Sequence, residues 1–237
     1  MIRTRDSAWI NDSATVVAQP GVGVEMVIVD QLHLSSSITV ARYRTLVARE
    51  DRQRLAQFIE ERLLERYVRP IEATPPDRKN GFLTMASACL LIETLESFYQ
   101  GWEDNHKPVQ RSLINSSCRP SDPKKSNVSR SEVAFCYFFS REEAFISFRP
   151  LAEEFYRGVR CGILHQGETT GGWLVKRAGP LVVTAARTIN ATRFLQCVSH
   201  AVESYKAHLE VATWDDTIWV NYRKKMQAIL ANCEPPR

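Results

Sequence analysis

Gly81-Phe82-Leu83-Thr84-Met85-Ala86-Ser87-Ala88-Cys89-Leu90-Leu91-Ile92-Glu93-Thr94-Leu95-Glu96-Ser97-Phe98-Tyr99-Gln100-Gly101-Trp102 is apolar nearly all round. An amphipathic surface helix keeps a polar side; a helix apolar on every side belongs in the middle of other helices. The stretch therefore predicts a central helix over 82–102 in an all-α fold. Gly101 suits a C-terminal stop, because glycine takes the left-handed conformation without cost. Glu93 and Glu96 interrupt the apolar surface. They are expected at a solvent edge, against an arginine, or pointing into a polar pocket.

Upstream, Val40, Tyr43, Leu46 and Val47, then Leu55, Phe58, Ile59, Leu63 and Tyr67, recur at helical spacing from about Thr39 to Arg69. Eight arginines against five acids make that stretch basic, which suits a solvated face or an RNA-facing one. Pro70 ends it and Pro75-Pro76 marks a linker. Residues 1–38 read as an arm with short β-prone runs, and 39–237 as the helical domain with a C-terminal helical extension. The first residues lack an apolar targeting segment, so a cytoplasmic location is expected. No uncharged apolar run approaches membrane-spanning length, so no membrane association is expected.

Downstream, residues 103–130 are rich in proline and small polar residues and read as a loop. Arg119, Lys124, Lys125 and Arg130 in it are candidate RNA contacts through the phosphate backbone. Ser129 or Ser131 suits the N-cap of a helix through Glu132–Phe139. Pro150 opens the next helix, in which Leu151, Phe155, Val159 and Ile163 recur at four residues and should face the core. After it, Gly167, Gly171 and Gly172 break the chain. Trp173–Arg177 and Leu181–Thr184 read as a small β-hairpin. Two more helices follow, from about Asn190 and from Thr217.

The chain has 237 residues, 44% of them apolar and 24% charged, with a net charge of +4. That fits one sizeable core and permits a nucleic-acid partner without demanding one. The six cysteines are scattered, with no Cys-x-x-Cys pair and no zinc spacing. They are expected as reduced, mostly buried thiols. The glycines after 166 match no P-loop or dinucleotide fingerprint. No carboxylate cluster suited to metal chemistry accompanies them, so neither metal nor cofactor is expected.

The remaining chemistry lies in Arg160-Cys161-Gly162-Ile163-Leu164-His165. Arginine suits a phosphodiester and its transition state; an imidazole at a helix end suits proton transfer. In a regular α-helix the two would lie about 140° apart, so their meeting depends on the helix relaxing near its end. Arg160 and His165 are the candidate catalytic pair, with Glu93, Glu96 and Gln166 as candidate polar support. The alternative is structural, with His165 capping the helix and Arg160 paired to Glu93, Glu96 or Glu168.

This Arg-x4-His at the end of a late core helix, with the helices around 82–102 and 190–208, resembles the HEPN superfamily over roughly residues 40–215. The resemblance implies an antiparallel helical bundle and a metal-independent endoribonuclease working on RNA as a homodimer. Two copies of the motif would share one cleft, with His165 as general base or acid and Arg160 on the scissile phosphate. It also implies roles in toxin–antitoxin systems, phage defence or RNA processing, with an antitoxin or regulatory protein as partner. Some members are inactive and only bind RNA or protein.

Overall fold

The apolar segment from Gly81 is the centre of the fold in the computed structural model, which describes residues 29–75 and 77–234. The chain is mostly helical. The helices are α1 (Val40–Ala48), α2 (Arg52–Tyr67), α3 (Gly81–Gln100), α4 (Arg130–Arg141), α5 (152–166), α6 (Ala191–Val211) and α7 (Thr217–Ala231). Short turns separate some of them, and two small sheets complete the described structure. Helix α3 packs against α4, α6 and α7, and α6 packs also on α2. Met85, Ala88, Leu91, Ile92, Leu95 and Phe98 are buried on α3. By length and composition α3 is also the one described helix apolar enough to cross a membrane, and 61% of that window is buried inside the protein.

The single helix expected over 39–69 is two. Glu50 adopts a positive φ of 51° between them, a conformation that turns the chain out of a helix. Asp51 then caps α2 by accepting from the Arg54 N–H at 3.2 Å. Residues 29–38, part of the expected arm, seat Leu34 in the main core. Ser36 and Ser37 there donate to Glu61 and Glu65 of α2. The rest of the arm lies outside the described residues, including the β-prone runs expected at 16–17 and, but for Val29, at 24–29; Val29 itself is in a helical turn.

Gly101 ends α3 with φ 63°. A Cβ there would lie 2.6 Å from Asn221 Oδ1, and Asn221 donates to the Tyr99 carbonyl at 2.6 Å. One glycine thus stops α3 and lets α7 dock on its end. Within the main core an aromatic cluster joins α4, α5 and α6: Phe155 and Phe194 stack at 5.4 Å, and Phe139, Phe145 and Phe148 close around them. Offset and edge-on ring pairs contribute about 0.5–1.5 kcal/mol each beyond burial.

Two expectations are corrected. The extended runs after α5 are strands β3 (Leu174–Lys176) and β4 (Val182–Val183), but they do not form a hairpin together. A third strand, β5 (Thr188–Asn190), lies between them, parallel to β3 and antiparallel to β4. The loop over 103–130 is closed by β1 (Pro108–Gln110) and β2 (Asn127–Ser129) pairing antiparallel. Between this loop, Trp102 and the start of α4 a small core of Trp102, Ile114, Cys118, Val128, Val133 and Ala134 forms.

The cysteines are not all reduced: Cys118 and Cys136 form a disulfide, with Cα atoms 5.5 Å apart. Scattered spacing hid it, because the pairing is made by the loop folding back on α4. Cys89, Cys161, Cys197 and Cys233 are free. The double substitution Cys118→Ser/Cys136→Ser should lower unfolding stability by about 3 kcal/mol through loop-closure entropy. Urea unfolding measures this. Alkylation followed by mass spectrometry should leave two cysteines unmodified until a reductant is added; six reactive thiols in the unfolded, unreduced chain would contradict the bond.

Candidate functional site

Helix α5 is not a regular α-helix. It is helical from Ala152 to Phe155, widens into a π turn over Tyr156–Cys161, and returns to α over Gly162–Gln166. A π turn closes i→i+5 hydrogen bonds and so underwinds the helix. In an ideal α-helix Phe155 and Ile163 would be about 80° out of line, yet Phe155, Val159 and Ile163 all reach the main core. The four-residue spacing in the sequence fits the core-facing stripe of a regular helix equally well, so the widening was not legible from it.

The π turn depends on two glycines and a returning loop. A Cβ on Gly158 would lie 2.6 Å from Trp173 Cδ1, and one on Gly162 would lie 2.5 Å from the Glu168 carbonyl oxygen. Neither position tolerates a side chain while the 168–173 segment lies against the helix. Thr170 N–H donates to the Gly158 carbonyl at 2.8 Å, supplying a bond to a carbonyl inside the irregular turn. Arg187 holds the other side of the loop. It donates to the Gly171 carbonyl and pairs with Glu154 at 2.7 Å.

This backbone brings Arg160 and His165 together. Arg160 Nη1 lies 3.4 Å from His165 Nε2. The widened turn and the length of the arginine side chain reduce the separation expected from a regular helix. Arginine carries only donors, so as a hydrogen bond this contact requires the imidazole tautomer that leaves Nε2 free to accept. His165 is exposed and follows directly after the exposed Leu164.

On its other edge Arg160 grips Glu93 of α3. Its Nε donates to Glu93 Oε1 at 2.6 Å and its Nη2 to Oε2 at 3.2 Å. The side chains are 11% and 7% exposed, so the pair is largely withdrawn from water. Burial opposes the charge on Arg160, but the bonded Glu93 carboxylate outweighs it and holds the guanidinium above the ordinary arginine range. The Arg160 guanidinium also sits 5.6 Å from the centre of the Tyr156 ring. Burial, reinforced by the neighbouring Cys161, pushes the Tyr156 hydroxyl up to about 12.

The other candidates are placed differently. Glu96 does not join this cluster. It is fully buried and pairs with Arg141, whose guanidinium stacks 3.7 Å from the Tyr99 ring centre. Burial pushes the Glu96 carboxyl up, and Arg141 pulls against that. Gln166 is exposed in the last turn of α5. Of the loop cations, Arg119 donates to the Ile114 carbonyl at 3.1 Å, and Lys125 bonds Glu132 at 3.3 Å. Arg130 donates to the Asp104 carbonyl at 2.8 Å and lies over Trp102. Lys124 is exposed. Three of the four therefore hold the loop itself.

Two residues near the pair were not singled out for this role in the sequence. Ser131, expected as an alternative cap, lies inside the first turn of α4, whose N-cap is Ser129. It is 4% exposed and donates to Glu93 Oε2 at 2.9 Å. Asn105 donates to the Glu93 backbone carbonyl at 3.2 Å. Among the described residues, no three of His, Cys, Asp and Glu come together to hold a metal ion.

No protein-family model, curated protein or solved structure matches this chain.

Gly162→Ala should displace the 168–173 segment, since the obstructing atom is backbone and cannot rotate aside. The expected cost is about 1–3 kcal/mol, as for other overpacking substitutions. Thermal melting measures it; a melting temperature equal to that of the parent would show that the close approach is not made in solution.

Proposed function

We propose that this chain is a metal-independent endoribonuclease of HEPN type. In this reading it is an antiparallel helical bundle that cuts RNA as a homodimer and needs no cofactor. The observation that carries the reading is the 3.4 Å approach of Arg160 Nη1 to an exposed His165 Nε2, with the arginine anchored from behind by Glu93. A fixed cation and an available ring nitrogen on one rim are what transfer of a phosphodiester to a neighbouring hydroxyl requires.

The chemistry follows from the groups. His165 Nε2 takes the proton from a ribose 2′-hydroxyl as that oxygen attacks phosphorus. Arg160 turns its outward N–H groups from the imidazole to the phosphate and stabilises the charge gathering on its oxygens. The bond from phosphorus to the 5′-oxygen breaks, leaving a 2′,3′-cyclic phosphate. The departing oxygen takes its proton from a second imidazole that enters the reaction protonated, in this reading His165 of the partner subunit across a shared cleft, so one ring gains the proton that the other gives up. RNA is the substrate class because only ribose carries the 2′-hydroxyl.

The proposal includes a soluble cytoplasmic protein in a toxin or phage-defence role, with an antitoxin or regulatory protein as partner. The Cys118–Cys136 disulfide stands against the cytoplasm, where such bonds are rare. A second reading, a catalytically inactive RNA- or protein-binding module, is favoured by the burial of the Arg160–Glu93 pair, which would brace α5 on α3 without any chemistry.

Purified protein incubated with varied RNAs in EDTA should produce fragments ending in cyclic phosphate. His165→Ala should lower cleavage about 10²- to 10⁴-fold, the usual worth of a general acid or base. Its stability should stay within about 0.5 kcal/mol, as for other surface substitutions. Arg160→Lys keeps the charge and loses the fork, so it should cut poorly. Arg160→Ala would instead strand a buried carboxylate and destabilise the fold by about 3–5 kcal/mol. Cleavage that survives His165→Ala, or that EDTA abolishes, removes the reading.

A further inference from the structure

We propose that Ser131 is a positioning residue for the Arg160–His165 pair, acting through the Glu93 carboxylate. Its effect on turnover rests on the ribonuclease reading; its effect on geometry does not.

Glu93 receives both contacting nitrogens of Arg160, and a carboxylate and guanidinium joined only to each other can swing as one unit. A hydroxyl from another helix restrains this, and a loop side chain holds the backbone beneath it. Ser131 Oγ donates to Glu93 Oε2 at 2.9 Å, the same oxygen that Arg160 Nη2 reaches at 3.2 Å. Asn105 holds the Glu93 backbone carbonyl at 3.2 Å. The Ser131 bond thus limits rotation of the carboxylate, and the remaining nitrogen of Arg160 is aimed at His165.

Ser131 is itself well anchored. Four residues on, Phe135 packs against Phe155 and Tyr156 of α5. The preceding residue, Arg130, donates to the Asp104 carbonyl at 2.8 Å. A hydroxyl early in a helix ordinarily bonds its own backbone. This one is buried and bonds the carboxylate of another helix. A bond to a charged acceptor is worth about twice a neutral one, and losing it leaves an under-satisfied buried carboxylate.

The test uses Ser131→Ala and Glu93→Gln in the full chain, with Ser204→Ala on the exposed face of α6 as control. Three experiments are read: RNA cleavage for kcat and KM, NMR for the ring-nitrogen shifts of His165, and thermal melting for the melting temperature. Ser131→Ala should lower kcat about tenfold with KM within about twofold, the size of one charge-assisted bond, and should shift the His165 ring nitrogens. Glu93→Gln should move both readouts further in the same direction, and Ser204→Ala should move neither. If Ser131→Ala does not fold, Ser131→Cys keeps the volume with a weaker donor and should show the same shifts. Unchanged His165 shifts and kcat in folded Ser131 variants would overturn the proposal, even with a lowered melting temperature. If the wild-type protein cuts no RNA, the ribonuclease reading fails, while the His165 shifts alone still decide whether Ser131 positions the pair.

Discussion

Two carboxylates one helical turn apart on the buried helix α3 constrain everything around them. Taking a carboxylate out of water costs several kcal/mol after relaxation, and only a well-placed cation with further hydrogen bonds offsets it. Glu96 obtains its cation from Arg141 at the end of α4, and Glu93 from Arg160 in the π turn of α5. Helices α4 and α5 are therefore tied to α3 by charge at two levels, while the phenylalanine cluster ties them to each other and to α6. Apolar packing alone tolerates sliding and repacking; a buried ion pair that must meet at 2.6 Å does not.

The same requirement explains the irregular helix. Arg160 must reach back to Glu93 while its helix buries Phe155, Val159 and Ile163. The underwound turn permits both, with Gly158 and Gly162 admitting the loop that covers it. Arg187 joins that loop to α5 with a φ of 44°, a conformation that costs a non-glycine residue about 1–3 kcal/mol. Strain at a residue bracing the turn from outside is consistent with a segment held in place by its surroundings rather than by its own preference.

The helices were legible because their apolar periodicity is strong. The centrality of α3 followed from its apolar surface, and its end at Gly101 from the special conformation of glycine. What was not legible depended on contacts distant in sequence. The sheet order β3-β5-β4 required knowing that Thr188–Asn190, only three residues long and running straight into α6, would slot between the two other strands. The disulfide needed the loop to fold back across 18 residues. The break at Glu50 was masked by an apolar stripe that continues on both sides of it. Of the site, Arg160, His165 and Glu93 could be named from their chemistry. Ser131 could not, because a serine before an apolar run reads equally well as a cap.

A guanidinium has a side edge and an end edge, each able to grip a pair of oxygens. Glu93 occupies the side edge of Arg160, so only the end edge near His165 is open to anything arriving from solvent. The two non-bridging oxygens of a phosphodiester are chemically alike, but beside this rim they would face unlike neighbours, a cation on one hand and an imidazole on the other. If the chain cuts RNA as proposed, the rim is handed with respect to phosphorus, and mirror-related phosphorothioates would not be equivalent to it.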